Sequence, residues 1–332
     1  MNVLPFDKRV RVIATLVEGN SIRAAERLCD VNRETIMRLG TQVGEACRRL
    51  HDALVVDLQV GILEVDELWA YVGKKQKRLQ PSDSPELGDS YTFLGIDANR
   101  KAIVSFVVGK RDYAHTAAFC RDLRARILGR PQITSDGFYP YIEAVQRAFG
   151  HEVDYAQIRK TYGPEAAPGE GSPSRPRRCT GSAKVPILGD PDPAKISTSY
   201  VERVNLSLRM GTKRFQRRAN GFSKKLRHHA AATALFVGHY NFCRVHETLR
   251  TTPMMAMGVT GHVWSIAELM DAALSIAPVP AAPLGLVLDP GQVVRPADLP
   301  PIAPVRPGPA PAQLSLFPDA PPQAQILCSR SD

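Results

Sequence analysis

The sequence predicts an α/β protein in which an all-α segment precedes a mixed sheet flanked by helices, and a proline-rich tail follows. Three observations predict it. Residues 5–50 carry apolar residues at helical spacing, residues 60–158 alternate short apolar runs with two amphipathic helices, and from about residue 275 Pro and Ala dominate without periodicity. The corresponding bounds are 1–57, then 58–272 with a loop insertion at 163–195, then 273–332.

In the first segment, Leu4, Val10, Val12, Ile13, Leu16 and Val17 give the first helix an apolar face, and Gly19 and Asn20 break it. Ser21 can cap a second helix with Ile22, Ala25 and Leu28 on one side, and Asn32 can cap a third. Two helices joined by a tight turn, the second opening on polar residues, read as a helix-turn-helix. A small bundle used for packing or dimerisation has the same pattern.

The next block changes period. Residues 60–65 are strand-like, and residues 90–98 and 102–108 are strands joined by a hairpin at Asn99, Arg100 and Lys101. Residues 115–128 form an amphipathic helix with Phe119, Leu123 and Ile127 in register. A short strand at 132–135 ends at Asp136 and Gly137, residues 138–149 are helical, and 153–158 is a fifth strand. The order β-β-β-α-β-α-β is that of a ribonuclease-H-like (integrase-like) core, an order other α/β folds can share. Residues 163–195, rich in Pro, Gly, Ser and Arg, read as a long loop ahead of a helix carrying Glu202. A longer helix is expected over 223–241. The tail has too little apolar surface to fold and is expected to be disordered, with Leu314, Leu316 and Phe317 a short apolar set within it.

Composition narrows the function classes. The 332 residues carry a net charge of +10, and the charge is uneven: 203–250 holds eleven Lys and Arg and one acidic residue, Glu247. That density suits a polyanion. The six cysteines have no zinc or disulfide spacing and read as reduced thiols. No apolar run is long enough to span a bilayer, and the start has no signal-peptide pattern. The expected location is the cytoplasm, at the nucleoid, with no membrane partner.

Three carboxylates stand out: Asp66 at the end of the first strand, Asp136 at the end of the fourth, and Glu202 in the helix after the loop. If the first and fourth strands are neighbours, Asp66 and Asp136 project at one sheet edge and the helix brings Glu202 to them. Three such groups repel unless cations lie between them. Two Mg²⁺ (or Mn²⁺) ions would relieve the repulsion and span a phosphodiester. Taken singly, each has a plainer reading: a turn former at Asp136, a strand-end Asp at 66, a first-turn carboxylate at Glu202. Glu64, Glu67, Asp97 and Asp112 are rivals, Glu64 foremost because it shares the strand face of Asp66. Asn205 and Arg209 follow Glu202 on one helix face, able to bond DNA or simply solvated. Lys213, Arg214, Arg217, Arg218, Lys224 and Lys225 form a basic run suited to phosphate, and His246 is a lesser contact candidate.

The blocks V-D-E-L-W-A-Y-V-G-K-K-Q-K-R, T-S-D-G-F-Y-P-Y and G-D-P-D-P-A-K-I-S-T-S-Y-V-E-R-V-N-L-S-L-R-M, in this order, resemble the bacterial insertion-sequence-one family of transposases. H-Y-N-F-C-R-V-H-E-T-L-R-T-T-P resembles the tail motif of integrase-like transposases. The resemblance covers most of residues 1–272. It implies a DDE triad of Asp66, Asp136 and Glu202 as catalytic and metal-binding residues, with Arg209 a basic residue near the site. It also implies metal-dependent cleavage at element ends and joining of the freed 3′-hydroxyls to target DNA, without ATP or a covalent enzyme intermediate. Some members carry an upstream cysteine cluster that this chain lacks, so end recognition would rest on the N-terminal helices, with Arg33, Thr35 and Arg38 facing DNA, or on another chain. The implied partners are double-stranded DNA and further copies of the chain, at least a dimer. A structure-specific nuclease or resolvase on the same core, and a catalytically dead DNA-binding regulator, are the alternatives.

Overall fold

Capping side chains set the N-terminal helices of the computed structural model, which describes residues 4–162, 179–216 and 219–277. Helix α1 (Phe6–Val17) ends before Gly19, whose φ is 76°. Helix α2 (Ile22–Cys29) begins with the Ser21 hydroxyl accepting the Ala24 amide at 3.1 Å, and α3 (Arg33–Leu54) with Asn32 Oδ1 accepting the Glu34 amide at 2.9 Å. Asp30 closes the turn between α2 and α3 at a φ of 49°, a left-handed conformation that Asp tolerates.

The sheet region follows in the order β1 (Leu58–Gln59), β2 (Ile62–Val72), β3 (Gly88–Asp97), β4 (Ile103–Gly109), α4 (Tyr113–Arg126), β5 (Ile127–Leu128), β6 (Gln132–Asp136), α5 (Pro140–Phe149), β7 (Asp154–Tyr162) and β8 (Cys179–Leu188). Among the described residues the main sheet has the strand order β4-β3-β2-β6-β7-β8. Its centre is parallel, β2 to β6 to β7, while β4, β3 and β8 run antiparallel to their neighbours. Strands β1 and β5 pair separately. Helices α6 (Ser199–Gly211), α7 (Leu226–Gly238), α8 (Pro253–Ala256) and α9 (Ile266–Ser275) complete the described chain. No helix among the described residues is long and apolar enough to cross a membrane.

Both faces of the sheet are buried. Val65, Phe93, Val104 and Ile133 pack with Phe119, Leu123 and Tyr141 of α4 and α5. Leu68, Ala70, Leu94, Ile96 and Phe106 pack with Val201, Val204, Leu208, Ala234 and Phe236 of α6 and α7. Full burial of one such side chain stabilises by about 1.5–3 kcal/mol, so the sandwiching of β2 holds its register firmly. The N-terminal helices share this core. Val12, Ile36, Val43 and Leu50 belong to the same cluster as Phe119, Leu235, Phe242 and Leu269. Arg126, at the end of α4, donates to the Val55 carbonyl at 3.0 Å and to Asp52 Oδ1 at 2.5 Å, fastening the far end of α3.

Three expectations need correction. Strand β2 is longer than residues 60–65 and puts Asp66 in mid-strand; it is the β2–β6 ladder that ends nearby, at Glu64 opposite Thr134. Residues 179–188, expected as part of a loop, form β8. This edge strand is mostly exposed, so no apolar alternation marks it, and its ladder with β7 holds it, helped by Ile187 and Leu188 against the core; Pro186 fits an edge position. The helix expected over 223–241 stops at Gly238 and widens into a π turn at His239–Cys243. There the Asn241 amide accepts from the Ile103 N–H at 3.0 Å and donates to the Ile103 carbonyl at 2.8 Å, so the turn is clasped to β4. Helix α9 runs to Ser275, and the rest of the expected tail, with Leu314, Leu316 and Phe317, lies outside the described residues, as do residues 163–178.

Candidate active site

Period-two alternation divides the β2 carboxylates between two faces. Glu64 and Asp66 face α6, and Glu67 faces α4 and α5. Glu64 is buried, and one of its oxygens accepts both the Tyr200 amide at 2.7 Å and the Val201 amide at 2.9 Å. These are unpaired donors at the start of α6, whose N-cap residue, Thr198, makes no side-chain cap. Glu64 is therefore the cap of α6. Burial raises its pKa even though these amides favour the charged form.

Two residues beyond the Glu64–Thr134 pair, Asp66 and Asp136 come level where the ladder has ended. Asp66 Oδ2 accepts from the Asn205 side-chain amide at 2.8 Å. Burial, with the Asp136 charge second, pushes Asp66 up to about 6, and Glu202 adds to the effect. Asp136 Oδ1 accepts the Phe138 amide at 2.9 Å, so it is a turn former as well. Asp66, Glu67 and Asp136 each present an oxygen within 4.8 Å of the others. Burial and the Asp136 charge push Glu67 up to about 8. Neither Glu67 Oε1 nor the buried Tyr141 hydroxyl has a hydrogen-bond partner at ordinary geometry, although the phenol is near enough to favour the carboxylate weakly.

Glu202, on the first turn of α6, is half-exposed and outside that close set. Its Oε1 accepts from Lys160 Nζ at 2.8 Å and from the Thr198 hydroxyl at 3.2 Å. Its charge nonetheless reaches Asp66. The helix thus brings Glu202 to the mouth of the site and Asn205, one turn on, into it. Arg209 donates to the Trp69 carbonyl at 3.3 Å and the Phe215 carbonyl at 3.4 Å, joining α6 to β2 and to the following turn. Two residues near the site escape a reading by motif. Lys160 extends β7 two places past Ile158, the register partner of Asp136, and strand period is the signal that could have found it. Arg111 lies 3.6 Å from Glu67 and 3.5 Å from Asp136 and stacks on Phe138 at 3.9 Å; only the folded chain brings these together.

The other rivals have structural tasks. Asp97 Oδ1 accepts the Asn99 and Arg100 amides at 2.8 and 2.7 Å and shapes the β3–β4 hairpin. Asp112 Oδ1 accepts the His115 amide at 2.9 Å and caps α4. His246 sits in a turn with its ring nitrogen against the Thr248 hydroxyl at 3.0 Å.

Among the basic residues, Lys224 and Lys225 are exposed, as are Arg33 and Arg38 on the first turns of α3, where Thr35 is half-buried. Lys213 is half-buried and donates to Gln216 Oε1 at 2.5 Å. Arg214 is turned inward to the Ser223 hydroxyl at 3.2 Å, and burial lowers its pKa. Arg217 and Arg218 lie outside the described residues. A groove of about 880 Å³ separates the N-terminal helices from this basic segment, with Arg23, Lys213, Lys224 and Lys225 among its lining residues. It does not include the carboxylates.

No protein-family model matches the chain, and no curated protein matches it. Among solved structures, the chain is similar to a piggyBac transposase synaptic complex with hairpin DNA, at a TM-score of 0.34 and 11% identity over 81% of this chain and 69% of that one. It is also similar to the Mos1 strand transfer complex, at a TM-score of 0.19 and 14% identity, over 46% of this chain and 59% of that one. A Mos1 transposase paired-end complex with the left transposon end gives a TM-score of 0.18 and 12% identity, over 45% and 57% of the two chains.

Proposed function

We propose that the chain is a DDE-type DNA transposase on a ribonuclease-H-like core, with Asp66, Asp136 and Glu202 as its triad. The observation that carries the reading is geometric. Asp66, Glu67 and Asp136 offer carboxylate oxygens within 4.8 Å of one another where the β2–β6 ladder ends, and Glu202 lies at the mouth of that set. Like charges in a half-buried place are costly unless cations join them; Arg111 and Lys160 touch the rim of the set, and Glu67 Oε1 is left without a partner among the described residues. The sequence blocks around the three triad residues agree with the reading.

The donor set fits Mg²⁺ or Mn²⁺: the groups are hard carboxylate oxygens, and Glu67 Oε1 is buried without a partner. Two such ions, when bound, would supply a strong oxygen nucleophile at neutral pH and neutralise the leaving oxygen. The chain's own residues position these groups. Asn205 fixes the orientation of Asp66, Glu64 anchors the start of α6, and Lys160 holds Glu202 at the mouth. Lys224 and Lys225 would meet the phosphate backbone, and α2 with the first turns of α3 would read element ends through Arg33, Thr35 and Arg38 as a helix-turn-helix. Acting on two ends calls for at least two copies.

Asp66→Asn, Asp136→Asn and Glu202→Gln are each expected to abolish joining of a pre-cut element end to target DNA, by about a hundredfold or more, while gel-shift affinity for that end is retained. Joining that survives one of these substitutions removes that residue from the triad. Products terminated by water alone, with none joined, would instead indicate a nuclease.

A further inference from the structure

Glu67 stands outside the proposed triad, yet its side chain is more enclosed than that of Asp136 or Glu202. Its side chain is 2% exposed, and its Oε1 has no hydrogen-bond partner among the described residues. Glu67 pairs with Arg111 at 3.6 Å, and the same guanidinium nitrogen is 3.5 Å from Asp136. A buried carboxylate without hydrogen bonds is costly unless a cation completes it. Arg111 completes it poorly: the distance exceeds a hydrogen bond, and its guanidinium is held against the Phe138 ring.

Period two sends Glu67 to the opposite face of β2 from Asp66, which ordinarily separates neighbours. Here β6 pairs with β2 only as far as Thr134, and the chain turns away after Asp136. Between that point and the Val72–Ser223 bridge no strand pairs with this edge of β2 among the described residues, and the longer Glu67 side chain brings an oxygen within 4.8 Å of oxygens from Asp66 and Asp136. We infer that Glu67 is a fourth carboxylate of the site, ligating a divalent cation together with Asp66 and Asp136. The inference rests on the metal-dependent reading above and extends it. Arg111, being cationic and in contact with two of the three ligands, opposes cation binding at that position.

Mn²⁺ binding to the full-length chain without DNA, followed by electron paramagnetic resonance, tests this separately from catalysis. Glu67→Gln is expected to weaken Mn²⁺ binding by at least about tenfold, a scale that even outer-shell partners of a metal command. It is also expected to abolish the rise in melting temperature that Mn²⁺ gives the wild type, while leaving the metal-free melting temperature near or above wild type. Glu67→Asp keeps the charge with a shorter reach and is expected to fall between the two, so a Gln variant that does not fold leaves the question answerable. Wild-type Mn²⁺ affinity in either folded Glu67 variant, with affinity lost in Asp66→Asn, would overturn the role of Glu67 and leave the triad standing. Wild-type affinity in Asp66→Asn as well would overturn both.

Discussion

A single buried carboxylate governs where α6 begins. Glu64 receives two backbone amides on one oxygen, and the helix opening at those amides carries Glu202, Asn205 and Arg209. Replacing Glu64 with Ala leaves both amides buried without an acceptor and a void beneath them. Each such amide costs about 1–3 kcal/mol. Glu64→Ala is therefore expected to lose about 2–5 kcal/mol in urea denaturation, and Glu64→Gln, which keeps an oxygen for the amides, distinctly less. Equal losses for the two would mean that the side chain matters only for the space it fills. Strand period alone ties Glu64 to Asp66 on one face, which is why the two compete in the sequence. What separates them is the start of α6, a contact between positions 136 residues apart that no local pattern carries. Asp97 and Asp112 are different. Their amide partners lie two or three residues away, and Asx-turn and capping chemistry identifies such residues from neighbours alone.

At the level of elements, legibility follows burial. The strands and helices that bury one face or both are marked by their apolar residues, and α4, α5, β3, β4 and β6 lie close to their expected places. The edge strand β8 is exposed along most of its length and is declared chiefly by backbone pairing. The end of β2 is hidden by Asp66 and Glu67, polar residues that look like a strand's limit and lie within it. Helix α3 illustrates a signal present in the sequence but readable only in pairs. Gly40 and Gly44 sit within 22 helical residues, where each costs about 1 kcal/mol relative to Ala. Gly44 lies where α3 meets α7, and a Cβ there would come 2.1 Å from the Ala231 carbonyl oxygen. Backbone cannot rotate aside, so Gly44→Ala is expected to separate the helices and destabilise by about 1–3 kcal/mol or more despite its better helix propensity. Gly61→Ala, with no atom within 4 Å of its Cβ, is the control and should change little. A Gly44→Ala protein with the wild-type denaturation midpoint would show that the two helices are not in backbone contact.

At the level of the whole molecule, the N-terminal helices do two things at once. The first turns of α3 expose Arg33 and Arg38, as the proposed recognition role requires, while its later turns place Val43, Ala46, Cys47 and Leu50 in the core that holds Phe119, Leu235, Phe242 and Leu269. Arg48 donates to the Phe106 carbonyl at 2.7 Å, and His51 lies 3.3 Å from the Ile103 carbonyl, so α3 also grips β4. Periodicity shows that α1–α3 are helices but not what they pack against, and the boundary at residue 57 rested on the change of period alone. A fragment of residues 58–277 would lose α3 from α7 and α9 and bare a broad apolar surface. Uncovering even a few large buried side chains costs about 2–5 kcal/mol each, against a total stability of about 5–15 kcal/mol for a domain. The fragment is therefore expected to be insoluble or to melt without cooperativity, whereas the chain ending at residue 277 should melt in one transition by circular dichroism. A soluble 58–277 fragment with a sharp transition would mean that the helices are a separable module. The described fold instead makes the placement of Arg33 and Arg38 relative to Asp66 a rigid property of one core, so that an end held by α3 would lie at a fixed distance from the carboxylates.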